Sequence, residues 1–558
     1  MNLKTGAAIF ESLPAHHQPF AQTYRQKGYW SKKPVPDFVA DAARARADTV
    51  AVVDRKGSVS YRELAEIVRR LAAGLWMLGV RPGDAVAIQL PNWREFVFFQ
   101  QAAVRIGAVY IPLLPQLRAG DLEYLLGACR AKMLVVPATF RKFDHAAMAM
   151  ELRARLPRLL QVFVVDPVAP LSNGCASVEE FLSQPWESEA GAAVDDRVIS
   201  PDAVRTILFT SGTESRPKGV LHSYNTLFFG LHRHVDYFGF NSDDAVLTAS
   251  PVGHGTGAVN GSEFGLLIGG KVVLLDTWNA AAATELIARE RCSFMWGAAT
   301  FFTDLIDVPE RSQYDLSSFR LALTAGAPIP PGLVAAVREK LGARLVTAYG
   351  QSEGQNIAIT RPDDPGERVS GSDGRINEGI EYKLVDELHR RSACGAAGEF
   401  AYRGPNVCLG YLDPSHTARA FDSEGFIYSG DLAAVDQAGY LRIVGRRKDI
   451  IIRGGENISP AEVENLLFQH PMIRAVSVVG YPDQRLGQRA CAFVVPQPCA
   501  HPTILDLAAF LEQLRVAKFK YPERVELVDA LPMTASGKVR KEALRELLQA
   551  RLAQEVGA

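Results

Sequence analysis

No run of about eighteen uncharged apolar residues occurs in the chain, so no membrane-spanning helix is expected. The start of the chain lacks the pattern of a signal peptide. Only Lys4 is basic there, and Glu11 and Pro14 interrupt any apolar core. Seven cysteines (Cys129, Cys175, Cys292, Cys394, Cys408, Cys491, Cys499) form no C-x-x-C pair, and an odd number argues against a disulfide framework. A reducing cytoplasm is the expected home. Neither sign of charge is in excess: 61 Lys and Arg face 62 Asp and Glu, and no basic face or tail points to nucleic acid. Low-complexity segments and internal repeats are absent.

What is present is ordinary globular sequence, long enough at 558 residues for several layers and more than one domain. Strand and helix patterns alternate through the first four-fifths. Ser60-Tyr61-Arg62-Glu63 reads as a capping box opening a helix to about Leu78. Strands are expected at Val86–Leu90, Val109–Leu114 and Met133–Val136, with helices at Asn92–Ile106, capped by Asn92, and at Asp121–Cys129. This order implies an α/β fold with parallel sheets and helices on their faces. Near Gly445-Arg446-Arg447-Lys448-Asp449 the texture changes. Ser459-Pro460-Ala461-Glu462 then carries three helix-start signals at once. The expected division is 1–447 for a large N-terminal domain and 448–558 for a small α+β domain.

One loop stands out: Thr210-Ser211-Gly212-Thr213-Glu214-Ser215-Arg216-Pro217-Lys218-Gly219-Val220. It follows the apolar run Ile207-Leu208-Phe209 and is expected to lead into a helix. Glycines let backbone N–H groups approach a polyphosphate, hydroxyls donate to it, and Lys218 offsets its charge. It is not a Walker A loop, because Pro217 precedes the lysine and Gly219 follows it.

The loop resembles the signature of the adenylate-forming superfamily, which holds acyl-CoA synthetases, peptide-synthetase adenylation domains and luciferases. Glu214 and Ser215 depart from the usual Thr-Gly. Four further motifs match in the family's order, from roughly Phe38 to Arg545. In Ala348-Tyr349-Gly350-Gln351-Ser352-Glu353 the resemblance implies that Tyr349 stacks on adenine and that Glu353 holds Mg²⁺ between phosphates, with Gly350, Gln351 and Ser352 beside the nucleotide. In Tyr428-Ser429-Gly430-Asp431 it implies that Asp431 binds the ribose hydroxyls. Arg446 would contact ribose or phosphate, and Lys448 would be the hinge of a mobile lid. Gly454 and Gly455 would line the CoA pantetheine tunnel. In Pro532-Met533-Thr534-Ala535-Ser536-Gly537-Lys538, Lys538 would be the mobile catalytic lysine, acting with Lys218 and Glu353. Gly326-Ala327-Pro328 resembles the backbone ledge opposite adenine.

The resemblance implies ATP, CoA and a carboxylic acid as substrates, joined through an acyl-adenylate; a homodimer is left open. The whole chain is most similar to short- and medium-chain fatty acyl-CoA ligases and to cyclohexanecarboxylate-CoA ligase. The acyl pocket would be formed by His254, Gly255, Thr256, Gly297 and Ala298. Aryl-acid enzymes that take dihydroxybenzoate usually carry Asn at the Gly255 position, where it bonds a ring hydroxyl, so Gly255 suits an apolar chain or ring. An aryl-acid enzyme loading a carrier protein and a non-catalytic acyl or nucleotide sensor are the alternatives. His232 and His234 look solvated on their helix.

Overall fold

Strands buried on both faces dictate the architecture. Ala85–Ile88, Val109–Pro112 and Met133–Pro137 are buried at every position and need cover above and below. The computed structural model describes residues 13–171, 174–210, 217–326, 329, 332–386, 388–392, 396–454, 456–534 and 538–556. The three strands lie side by side in parallel. Their sheet runs, edge to edge, Gly410–Tyr411, Lys218–Ser223, Val204–Thr210, Val109–Pro112, Ala85–Ile88, Met133–Pro137, Gln161–Val165 and Cys175–Ser177. A second sheet has Ala245–Thr248, Lys271–Leu274, Phe294–Gly297, Leu321–Ala325 and Arg344–Gln351 in its parallel core, with antiparallel strands at both edges.

Helices Tyr61–Met77, Arg94–Arg105 and Tyr224–Phe238 fill the space between these sheets. Their Leu71, Phe99 and Phe228 share one core with Val86 and Tyr110 of one sheet and Val246 and Phe294 of the other. Each phenylalanine buried there contributes about 2 kcal/mol. Ala280–Glu290 and Leu333–Leu341 cover one outer face, and Ala119–Cys129 and His145–Arg155 the other. The result is five alternating layers, an α/β arrangement as the element order implied.

Two local expectations fail for identifiable reasons. Asn92 does not cap the helix that follows; Trp93 is at that position, and it makes no side-chain cap. The Asn92 amide instead donates to the carbonyls of Thr248, Ser250 and Leu275 at 2.9, 3.1 and 2.9 Å, and its oxygen accepts from Val252 N at 2.8 Å. These buried bonds, tying one sheet to the other, outweigh one cap, which contributes about 1 kcal/mol. The segment after the hydroxyl-rich loop is also not helical at first. Lys218–Ser223 returns as an antiparallel strand along Val204–Thr210, in register Thr210↔Lys218 through Ile207↔Leu221. Val220 and Leu221 are buried between two neighbours, and the helix starts only where Ser223 caps it. The Ser60–Glu63 capping box forms as expected, and its helix ends at Met77.

Beyond these layers come two smaller sheets. Glu381–Val385, Gly398–Arg403, Ile427–Val435 and Leu441–Arg446 form one, all antiparallel. Glu456–Ile458, Ile451–Arg453, Gly487–Pro496 and Ile473–Asp483 form the other, joined by Arg524–Leu527. A single 3-10 turn, Arg447–Asp449, connects the two. Ser459 caps the helix Pro460–Leu467, as its three signals predict. Among the described residues no helix is long and apolar enough to cross a membrane.

Candidate active site

The site lies at the carboxyl ends of the parallel strands, where an open α/β sheet presents its loops. Strand Arg344–Gln351 delivers Tyr349, whose ring is 8% exposed and meets Phe400 edge-on at 5.9 Å. Its hydroxyl donates to Asp431 Oδ2 at 2.7 Å and accepts from Gln351 Nε2 at 3.0 Å. Asp431 comes from the antiparallel strand Ile427–Val435. Its register partner on the next strand is Arg446, whose Nε reaches Asp431 Oδ1 at 3.0 Å. Tyr349, Asp431 and Arg446 therefore form one chain of polar contacts, from residues almost a hundred positions apart. Burial and the Asp431 charge push the Tyr349 phenol well above its ordinary range.

Gly350 has no room for a side chain: a Cβ there would stand 1.9 Å from the Gln355 carbonyl. Beyond it, Glu353 Oε1 accepts from Tyr411 Oη at 2.8 Å. Burial raises the Glu353 carboxyl, while the Tyr411 bond and the Lys218 charge oppose that rise. Lys218 Nζ stands 5.8 Å from the Tyr411 ring centroid, so one tyrosine joins the loop lysine to the carboxylate. Thr210 and Lys218 close the mouth of the hairpin, with Thr210 Oγ1 bonded to the Lys218 carbonyl at 3.5 Å. Ser211, Gly212, Thr213, Ala327 and Gly455 lie outside the described residues.

Lys538 arrives from the far end of the chain. Its backbone is fixed by Thr534 N donating to the Lys538 carbonyl at 2.7 Å, and by Lys538 N donating to Thr534 Oγ1 at 3.0 Å. Its side chain reaches Gly326, where a Cβ would stand 2.7 Å from Cε and 3.3 Å from Nζ. Gly326 has φ +85°, so glycine is required there twice over. The surrounding protein lowers the Lys538 pKa, as does the Arg446 charge, while Asp431 raises it. His254 feels Lys538 as well; burial first and that charge second bring its imidazole down to about 4, so it is neutral at pH 7. Thr256 N donates to His254 Nδ1 at 3.2 Å, which leaves the ring proton on Nε2.

The residues expected to line an acyl pocket lie around an element the sequence did not announce. Thr256–Glu263 is a π-helix, packed against the strands Ala245–Thr248 and Phe294–Gly297. Its wider turn is a known device at functional sites. Gly257 would clash with the Pro251 and Ser250 carbonyls at 2.4 Å if it carried a Cβ. At Gly255 a Cβ would make only ordinary contacts, 3.5 Å to Leu208 and 3.8 Å to the Gln355 amide. At Gly297 an added Cβ would stand 2.9 Å from the Phe301 ring, which stacks on Trp278 at 4.1 Å. Ala298 follows at the start of the helix Ala299–Ile306.

Lys448 lies in the 3-10 turn between the two small sheets. Gly454 turns the hairpin Ile451–Ile458 with φ +58°; a Cβ there would meet only Leu486. His234 contradicts the solvated reading. It is fully buried beside Trp296 and Phe264, at 5.3 and 6.2 Å, with no hydrogen bond to either nitrogen. Sequence reasoning also missed Tyr411, Gln355 and Asp373. Gln355 holds a left-handed backbone at φ +47°. Asp373 accepts from Ile443 N at 2.8 Å, and burial pushes its carboxyl up to about 6. None belongs to a periodic pattern, and only the fold brings them to the site.

Among the described residues no cluster of three His, Cys, Asp or Glu side chains could hold a metal alone. A lone half-buried carboxylate such as Glu353 still fits Mg²⁺, which is commonly held by one or two carboxylates together with substrate phosphates.

The AMP-binding enzyme family model matches residues 39–412, and the AMP-binding enzyme C-terminal domain model matches residues 462–538. The medium-chain fatty-acid–CoA ligase of Escherichia coli (strain K12) is 39% identical over 536 residues, covering 96% of this chain and 94% of that ligase. The 2,3-dihydroxybenzoate-AMP ligase of Bacillus subtilis (strain 168) is 31% identical, covering 95% and 97%. Among solved structures, an anthranilate CoA ligase in complex with anthranoyl-AMP superposes with TM-score 0.81 at 26% identity, covering 92% of this chain and 97% of that one.

Proposed function

Because the chain belongs to the AMP-binding enzyme family of adenylate-forming acid–thiol ligases, we propose that it is an ATP-dependent acyl-CoA synthetase for a short- or medium-chain fatty or alicyclic acid. The observation that carries this reading is the seat of Lys538. A lysine from the C-terminal end rests on Gly326, within the fields of Arg446 and Asp431.

In the first half-reaction an oxygen of the acid's carboxylate attacks the α-phosphorus of ATP. The bond to the bridging oxygen breaks, and pyrophosphate leaves with the electron pair. Such chemistry needs positioning and charge neutralisation more than a covalent nucleophile. Lys538 bridges the carboxylate and the α-phosphate, and Lys218 with its loop holds the departing phosphates. Tyr349 offers a ring to adenine, while Asp431 and Arg446 take the ribose. Glu353 would hold the Mg²⁺ that accompanies ATP, a charge that neutralises phosphate oxygens. In the second half-reaction the lid, residues 448–558, turns about Lys448. This withdraws Lys538 and brings Gly454 and Gly455 to the adenylate. The CoA sulfur attacks the acyl carbon, its thiol proton passes to solvent, the bond between the acyl carbon and the AMP phosphate oxygen breaks, and AMP leaves.

Gly255 supports an apolar acid over dihydroxybenzoate, since residue 255 itself carries no side-chain amide to bond a ring hydroxyl. The reducing cytoplasm is the proposed setting. The test is AMP release with ATP, Mg²⁺ and CoA across straight-chain acids, cyclohexanecarboxylate, benzoate and dihydroxybenzoate. Turnover that requires CoA and peaks on medium-chain or alicyclic acids supports the reading. A peak on dihydroxybenzoate, with pyrophosphate exchange but no CoA-dependent turnover, would replace it with an aryl-acid enzyme serving a carrier protein.

A further inference from the structure

His222 is fully buried on the strand Lys218–Ser223, four residues beyond the loop lysine. Its Nε2 lies 2.6 Å from the carbonyl oxygen of Ser352, the residue before Glu353. A carbonyl only accepts, so Nε2 carries the proton and donates. Nδ1 is then the acceptor, and Thr226 Oγ1 donates to it at 3.0 Å. That second bond fixes the ring plane. The imidazole is neutral at pH 7, because burial brings it down to about 4.

The Ser352–Glu353 segment has no regular pairing of its own. It forms the turn between the strands Arg344–Gln351 and Gln355–Ile359. Three donors hold its backbone: His222 Nε2 and Gln355 Nε2 on the Ser352 carbonyl, at 2.6 and 3.1 Å, and Cys408 N on the Glu353 carbonyl at 2.8 Å. Gln355 belongs to the same turn, and Cys408 lies beside the strand Gly410–Tyr411. Only His222 comes from the strand that begins with Lys218. It is thus the direct strut between the loop lysine's strand and the turn bearing the carboxylate.

We infer that His222 is a positioning residue for Glu353, setting its carboxylate against Lys218 so that Mg·ATP is received in one geometry. This inference rests on the acyl-CoA synthetase reading. His222 touches no reacting atom; it acts through the Ser352 carbonyl.

The experiment compares His222→Leu, which removes the donor, with His222→Gln, whose amide Nε2 can reach the same carbonyl. Three readouts are taken with the full chain. They are the adenylation rate from pyrophosphate release, the rate of thioester formation from supplied acyl-adenylate, and the rise in Tm caused by Mg·ATP alone. For His222→Leu we expect adenylation to fall about tenfold, as for one buried hydrogen bond lost. The Mg·ATP-induced rise in Tm should shrink. The KM for the acid and the thioester rate should stay within about twofold of the parent, and His222→Gln should recover most of the loss, because neither the acid nor that half-reaction uses the strut. If His222→Leu does not fold, His222→Asn, whose amide is too short to reach Ser352, replaces it with the same expectations. Equal losses in both half-reactions, or a glutamine variant as poor as the leucine one, would overturn the inference in favour of a purely structural histidine. A parent enzyme that makes no adenylate from any acid would instead sink the synthetase reading.

Discussion

The Lys538 side chain rests on Gly326, so closely that a Cβ on the glycine would stand 2.7 Å from Lys538 Cε. The two residues are more than two hundred positions apart, and their contact brings the C-terminal end of the chain onto the N-terminal layers. Gly326→Ala should push the lysine away and strain a backbone held at φ +85°. Strain at such a position costs about 1–2 kcal/mol by itself. Gly342→Ala supplies the control, since Gly342 also has positive φ (+68°) but nothing stands within 4 Å of its Cβ position. We expect Gly326→Ala to slow adenylation by at least about tenfold through loss of a placed charge. Gly342→Ala should lose stability only. Equal adenylation rates in the two variants would mean that the contact is incidental.

A second prediction concerns the buried pair Arg205–Glu263. Arg205 Nε donates to Glu263 Oε1 at 3.0 Å, and both side chains are almost wholly buried. The pair links the strand leading into the hydroxyl-rich loop to the end of the π-helix. Removing one partner strands a buried charge. Glu263→Ala should therefore cost about 3–5 kcal/mol, whereas the double substitution Arg205→Met with Glu263→Met should recover most of that. Urea unfolding of the three proteins checks this; a double variant no better than Glu263→Ala would contradict it.

Buried histidines set the acid limit of the fold, His17, His222 and His234 among them. Burial holds His17 down to about 3, His222 to about 4 and His234 to about 3, against an ordinary value of 6.5. Each binds a proton in the unfolded chain before it does so in the folded one. Their contributions are intact above pH 6.5 and fall as pH drops from there toward 4. Each costs up to about 1.4 kcal/mol per pH unit in that window. His234→Phe should flatten the fall by one proton's share. It should also raise stability at pH 7 by about 1 kcal/mol, since it removes a buried imidazole without partners. Urea midpoints at pH 7, 6 and 5 decide the matter; parallel curves for parent and variant would refute it.

Much of the layered core was legible in the sequence, because its strands are short apolar runs and its helices carry strong caps. Ser60–Glu63 and Ser459–Glu462 act locally, and they form as read. Asn92 was misread because its partners are carbonyls on the other sheet, which no local pattern reveals. The strand Lys218–Ser223 pairs locally with Val204–Thr210, but its other edge is covered by Gly410–Tyr411, almost two hundred residues away, which no local pattern reveals. In the site, motif order pointed to Tyr349, Glu353, Asp431, Arg446 and Lys538. Tyr411, His222 and Gln355 carry no motif, since their work is to hold others in place. The π-helix is invisible to a 3.6-residue period.

The central claim is that Lys538 serves the first half-reaction and not the second. It is tested most directly by measuring both in Lys538→Ala: pyrophosphate release from acid and Mg·ATP, and acyl-CoA formation from supplied acyl-adenylate and CoA. The account predicts that the first falls by about 10²-fold or more, as for loss of a preorganised charge in the transition state. The second should stay within a few-fold of the parent. Equal losses in both would contradict a lysine that the lid carries away between the two reactions.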